Sequence, residues 1–276
     1  MIKKIDAHQH FWNYDKEKHN WIDESMSVLQ QDFLPSDLKS HLDEKNIDAC
    51  VAVQADQTEE ETDFLLSLAD RYSYIAGVVG WLDIKSPDFG EALENYSSYE
   101  KLKGLRHVVQ DEPDDFLLQS DFCRGISLIK EYNLTYDILI YEHQLPAAVK
   151  FVEKFPDQPF VLDHIAKPRI KEGEMESWKQ GIIELAQHPK VYCKISGMVT
   201  EADWKNWQKK DFRPYLDVIF EVFGADRLMF GSDWPVCTLA ADYSEVYSII
   251  HEYISSYSAE KQEMILGGTA QQFYGL

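Results

Sequence analysis

Cysteine is scarce, four residues in 276, at positions 50, 123, 193 and 237, with no C-x-x-C pair. That excludes a disulfide-stapled scaffold and a zinc knuckle, and the four are expected as reduced, mostly buried thiols. Basic residues are also short: 27 Lys and Arg stand against 48 Asp and Glu, a net charge of −21. So acidic a surface repels phosphate backbones and argues against nucleic acid and anionic membranes as partners. A neutral small molecule stays open, because a pocket need not share the sign of the surface around it. No apolar run approaches the roughly 18 residues that cross a bilayer. Lys3 and Lys4 are followed at once by Asp6, His8 and His10, where a signal peptide needs an apolar stretch. A cytoplasmic location is the expectation. Linkers are missing too. The 13 Gly and 10 Pro are spread along the chain, no segment rich in Gly, Ser or Pro marks a boundary, and residues 1–276 are expected to form one domain.

Apolar material is plentiful, 45% of the residues, and its arrangement is regular. Short β-branched and aliphatic runs recur at 2–7, 48–53, 75–79, 104–109, 134–140, 160–162, 191–195 and 227–230. Longer amphipathic stretches lie between them, at 35–45, 58–71, 123–131, 145–155, 178–187 and 215–223, with apolar residues returning every three or four positions. Eight strands, each followed by a helix, predict an α/β fold of the TIM (β/α)8 barrel type, whereas a doubly wound sheet uses fewer strands. Residues 11–33 form a long connection carrying Phe11, Trp12, Tyr14 and Trp21, either a lid over the barrel mouth or a surface cap.

Barrels of this kind carry their reacting groups at the C-terminal ends of the strands, and there the sequence turns polar. The first strand ends in Asp6-Ala7-His8-Gln9-His10, the fourth in Arg106-His107, the sixth in Asp163-His164, the seventh in Lys194-Ile195-Ser196 and the eighth in Gly231-Ser232-Asp233. His8 and His10, two apart on a strand, can face one side. An isolated H-x-H is equally explained by two hydrogen-bonded structural histidines. Barrel closure makes the first and last strands neighbours, so Asp233 can join the pair around a single divalent cation. Asp233 also suits a general base, with an ordinary Asx turn in Gly-Ser-Asp-Trp-Pro as the plainer alternative. His164 is either a satisfied core histidine or a donor to a carbonyl oxygen. Arg106 and His107 cannot both point inward, so one of them is expected to stand behind the other. Lys194 either snorkels or assists a developing oxyanion. The remaining histidines are expected to be structural, except that His143, beside Tyr141 and just past the fifth strand, stays open.

Taken together, IDAHQHFW, GLRHVVQ, FVLDHIAKP, VYCKISG, FGSDWP and TAQQFYGL resemble the amidohydrolase superfamily over essentially the whole chain, in its metal-optional sugar-lactonase branch. The resemblance implies a distorted barrel and an acyl bond cleaved by activated water. The implied substrate is a sugar lactone of the L-fucono, L-rhamnono or galactono type. His8 and His10 match the first-strand pair, His164 the sixth-strand histidine and Asp233 the eighth-strand aspartate. Asp233 and His164 are then the catalytic pair. His8, His10, Arg106, His107, Lys194 and Trp12 are the residues expected on the substrate, followed by Trp81 and Trp234. Metal-rich members place a carboxylated lysine or a glutamate at the fourth or fifth strand and a histidine after the fifth. This chain has Arg106-His107 and Tyr136-Asp137 there, which implies one divalent cation, zinc first, at His8, His10 and Asp233, or none. The implied partner is the lactone alone, with a homodimer open. Two other functions stay open: a metal-dependent decarboxylase, which needs a further fifth-strand ligand, and a non-catalytic sugar-binding barrel.

Overall fold

The apolar runs become eight parallel strands in a computed structural model that describes residues 3–276. They are β1 (Ile5–Gln9), β2 (Ala49–Val53), β3 (Ile75–Gly80), β4 (Leu102–Val108), β5 (Thr135–Leu139), β6 (Phe160–Leu162), β7 (Val191–Ile195) and β8 (Leu228–Phe230). The expected first strand began at residue 2, which lies outside the described residues. Neighbours in sequence are neighbours in the sheet. The ring closes just past the last strand, where the Asp233 N–H donates to the His8 carbonyl at 2.8 Å and the His10 N–H to the Trp234 carbonyl at 2.7 Å. The architecture is the expected TIM-type (β/α)8 barrel.

A helix follows each strand: α1 (Pro35–Lys45), α2 (Glu59–Arg71), α3 (Phe89–Tyr96), α4 (Ser120–Ile129), α5 (Leu145–Lys154), α6 (Glu176–Ala186), α7 (Lys209–Phe223) and α8 (Tyr243–Ile254). Local chemistry sets their ends. Thr58 accepts from the Glu61 N–H at 3.2 Å to start α2, and Asn46 in a left-handed conformation stops α1. Helix α7 begins at Lys209 rather than at 215. Its first turn is polar, held by the Gln208 N–H donating to Asp211 at 2.8 Å, and offers no apolar stripe to read. The layer between strands and helices forms the main core. Each fully buried Phe or Leu there contributes about 1.5–3 kcal/mol.

Inside the barrel, Ile5, Ala7, Val51, Val79, Val161 and Met229 pack on Phe273 and Tyr274. Those aromatics arrive on a C-terminal segment of α9 (Ala259–Glu263), a π turn (Met264–Gly268) and α10 (Thr269–Tyr274). The connection after β1 is folded on itself. Trp12 and Phe33 pair by two backbone hydrogen bonds of 3.0 and 2.9 Å, enclosing a small core of Trp12, Ile22 and Leu29. No helix among the described residues is long and apolar enough to cross a membrane.

Candidate active site

Strict alternation accounts for part of the site. Arg106, Asp137 and Val161 are register partners across β4, β5 and β6, and Val161 lines the interior, so all three point inward. Lys194 is level with Met229, which also lines the interior. Two departures from regular geometry add the rest. In β1, Ile5 and Ala7 already face inward, so alternation would send His8 out. A register irregularity between Asp6 and Gln9 resets the phase. Asp6 anchors that bend, accepting from the Ser232 N–H at 2.9 Å, the His8 N–H at 3.2 Å and the Tyr243 hydroxyl at 2.9 Å. Burial pushes its carboxyl up to about 6 against those three donors.

The second departure follows β6. His164, Ile165, Ala166 and Lys167 have φ of 52, 50, 61 and 45°, a left-handed turn that brings His164 to the same side as Asp163. Each such residue costs roughly 1–2 kcal/mol. The Lys167 N–H donating to the His164 carbonyl at 2.8 Å and the Trp178 indole N–H donating to the Ile165 carbonyl at 2.7 Å hold the turn. Asp233, at φ 59°, is left-handed as well. Strain gathered on His164 and Asp233 makes this end of the barrel the candidate site.

The gathered side chains form one buried network. His8 Nε2 lies 3.2 Å from His10 Nε2, and Asp233 Oδ1 lies 3.4 Å from His10 Nε2 and 3.9 Å from His8 Nε2. His164 Nε2 is 3.8 Å from the same oxygen, while its Nδ1 meets Ser196 Oγ at 2.9 Å. Below them, Arg106 donates to Asp163 Oδ2 at 3.1 Å and to Gln54, through both its side-chain and its main-chain oxygen. Lys194 sits between Asp137 and Asp163. Tyr274, reaching up from the closed end, donates to Asp137 at 2.9 Å.

Burial depresses His8 and His164 well below the usual imidazole value, which outweighs the pull of Asp163 on His8 and of Asp233 on His164. Both are neutral at neutral pH. Burial alone would raise Asp233, but the groups facing it, His164, His10 and Lys167, hold it below the ordinary carboxylate value. A lowered acid is ionised above its pKa and a lowered base is neutral above its own. These three groups therefore keep their forms as pH falls through 6.5. His8, His164 and Asp233 are expected to add no inflection to kcat/KM between pH 7 and 6, where the buried Asp6 and Asp137 carboxyls, both pushed up to about 6, titrate instead. 15N NMR showing His8 or His164 titrating near 6.5 would contradict the assignment.

Asp233, His164, His8, His10 and Arg106 come together as anticipated in sequence. His107 does not join them. It points away from Arg106, stacks on Phe116 at 4.7 Å, accepts from the Trp81 indole N–H at 3.2 Å and meets Glu112 at 3.3 Å. Trp12 is buried in its own loop, donating to the Gln31 carbonyl at 2.9 Å. Trp234 packs edge-on to Phe33 behind the turn that holds Asp233, and His143 is half exposed, 3.3 Å from Asp114. Lys194 is wholly buried beneath the site rather than at its mouth. Sequence alone does not single out Asp137, Gln54 and Tyr274 as functional residues, and it places Asp163 and Ser196 at strand ends without giving either a role. Inward parity could have flagged Asp137, since it is the register partner of Arg106.

His8, His10 and Asp233 fit a divalent cation. Three ligands at about 2.1 Å in tetrahedral array lie about 3.4 Å apart, close to the 3.2, 3.4 and 3.9 Å separations here. His10 Nδ1 is 2.8 Å from the Val53 carbonyl, so it carries the proton and leaves the Nε2 lone pair facing inward. His8, Asp163 and His164 form a second ligand-capable group. A fifth-strand ligand, which the decarboxylase alternative needs, would have to be Asp137, and Lys194 and Tyr274 already occupy it.

A parallel barrel with histidines, an aspartate and a fixed arginine at its C-terminal mouth defines a barrel hydrolase. The amidohydrolase family profile matches residues 5–276, and the chain belongs to that family. It is 40% identical over 285 residues to an L-fucono-1,5-lactonase of Burkholderia multivorans, covering 99% of this chain and 96% of that one. It is 35% identical to an L-fucono-1,5-lactonase of Burkholderia ambifaria, with the same coverage. The crystal structure of an amidohydrolase from Burkholderia multivorans with bound zinc superposes with a TM-score of 0.95 at 41% identity, covering 99% of each chain.

Proposed function

We propose that the protein is a lactonase that hydrolyses a sugar lactone of the L-fucono-1,5-lactone kind to its sugar acid, with Asp233 as general base. The observation that carries this reading is an ionised Asp233 facing the Nε2 edge of a neutral His164. In this reading the Ser196 hydroxyl, 2.9 Å from His164 Nδ1, donates to it, and His164 keeps an Nε2–H directed into the site. Asp233 takes a proton from water while the water oxygen bonds to the lactone carbonyl carbon. The carbonyl electrons move to oxygen, where the His164 N–H meets the charge. Collapse restores the carbonyl and breaks the bond to the ring oxygen, which receives the proton from Asp233.

Arg106, tied to Asp163 and Gln54, supplies a fixed positive field beneath the carbonyl. A divalent cation, zinc first, held by His8, His10 and Asp233, would supply carbonyl polarisation and a more acidic water when bound. A lactone is an activated ester and needs less of that help than an amide. The test is a pH-indicator assay of EDTA-treated protein on 1,4- and 1,5-lactones of the fuconic, rhamnonic and galactonic series. Turnover of a fuconic 1,5-lactone without added metal is expected. Silence under every metal condition would overturn the substrate class.

A further inference from the structure

Lys194 takes no part in the steps above, yet it is wholly buried and its surroundings are specific. Asp163 Oδ1 lies 3.0 Å from its ammonium, His8 Nδ1 3.2 Å and the Tyr274 ring centroid 5.6 Å, with Asp137 in contact on the remaining side. An ammonium only donates. Its contact with His8 Nδ1 therefore requires that nitrogen bare, which places the single proton of a neutral imidazole on Nε2. Asp163 Oδ1, 3.3 Å from the same Nδ1, only accepts and asks for the opposite tautomer. One tautomer makes His8 a hydrogen-bond donor into the site; the other leaves an Nε2 lone pair for a metal, the arrangement that a carboxylate behind a ligating histidine enforces.

A second contact favours the first of these when no cation is bound. In a neutral His10 whose Nδ1–H donates to Val53, Nε2 is bare, and it faces His8 Nε2 at 3.2 Å. Two bare nitrogens at that distance need a proton or a cation between them. Arg106 Nη1, with two N–H groups, reaches both Asp163 Oδ2 at 3.1 Å and His8 Nε2 at 3.3 Å, so it draws His8 toward the other tautomer and competes with Lys194 and His10. We infer that Lys194 is a positioning residue that holds His8 as the Nε2–H donor and so opposes metal binding at His8, His10 and Asp233. The same ammonium, with Arg106, also offsets two of the three carboxylates of the cluster, which reduces its electrostatic attraction for a divalent ion.

This inference deepens the lactonase reading, but its readouts use no lactone, so the two can fail separately. Zinc affinity would be measured by competition with a fluorescent chelator, and the His8 tautomer by 15N NMR of histidine-labelled, metal-free protein. Lys194→Met strands Asp137 without its partner and risks misfolding. The double variant Asp137→Asn/Lys194→Met removes the pair together and leaves Asp163 bound to Arg106. The double variant is expected to bind zinc roughly 10–100-fold more tightly and to shift His8 to the Nδ1–H form. Unchanged or weaker zinc binding by the folded double variant would overturn the inference. An Nδ1–H signal from His8 in the metal-free wild type would do so whatever the variants do.

Discussion

Asp233→Asn is expected to lower kcat by roughly 10²–10⁴, the span of a lost general base, with KM changed far less. The substitution isolates chemistry from folding for a specific reason. Asp233 sits at φ 59°, and Asn is one of the few residues that accept the left-handed region with little penalty. Its backbone N–H still donates to the His8 carbonyl, so the joint between the first and last strands survives. The amide cannot take a proton from water. Thermal unfolding should therefore stay within a few degrees of wild type while turnover of the fuconic lactone collapses. Near-normal kcat would remove Asp233 from the proton transfer and leave that role to His164 or to a water made more acidic by a bound cation.

The strands are legible in the sequence because each is a compact apolar run between polar stretches, and a parallel barrel buries both faces of every strand. Most of the candidate site is legible too, since ionisable residues gather at the C-terminal ends of five such runs, although each alone has a structural explanation. The parts that escape share a cause. Alternation of side chains implies that Arg106 and His107 diverge, and they do. The same rule applied to Asp163 and His164 would separate two residues that the left-handed turn brings together. Likewise, the irregularity between Asp6 and Gln9 is what lets His8 follow Ala7 inward. Local backbone irregularity carries no periodic signal, and it is concentrated where the chemistry is. Lys194 is misplaced for another reason. A lysine at a strand end reads as a cation at the mouth, while its partners, Asp137 and Asp163, come from strands whose depth in the barrel only register can supply.

Gly197→Ala should disable the site although it replaces no polar side chain. Gly197 has φ of +63°, and a Cβ there would lie 2.5 Å from His164 Nδ1 and 2.7 Å from Cγ. The imidazole has no room to retreat, because its other side faces the His8 ring at 4.4 Å between centroids. The added methyl must push His164 off Ser196 or out of line with Asp233, so the N–H that meets the oxyanion is lost. A kcat reduced roughly 10²–10³-fold, the loss expected for one oxyanion donor, is the anticipated result, accompanied by a lower melting temperature. Gly275→Ala is the control for backbone cost alone. Gly275 is also left-handed, at φ 62° and ψ 51°, but a methyl added there would meet nothing within 4 Å. That variant should lose about 1 kcal/mol of stability and none of its turnover. Equal kcat losses in the two variants would mean that His164 tolerates displacement and is not the donor.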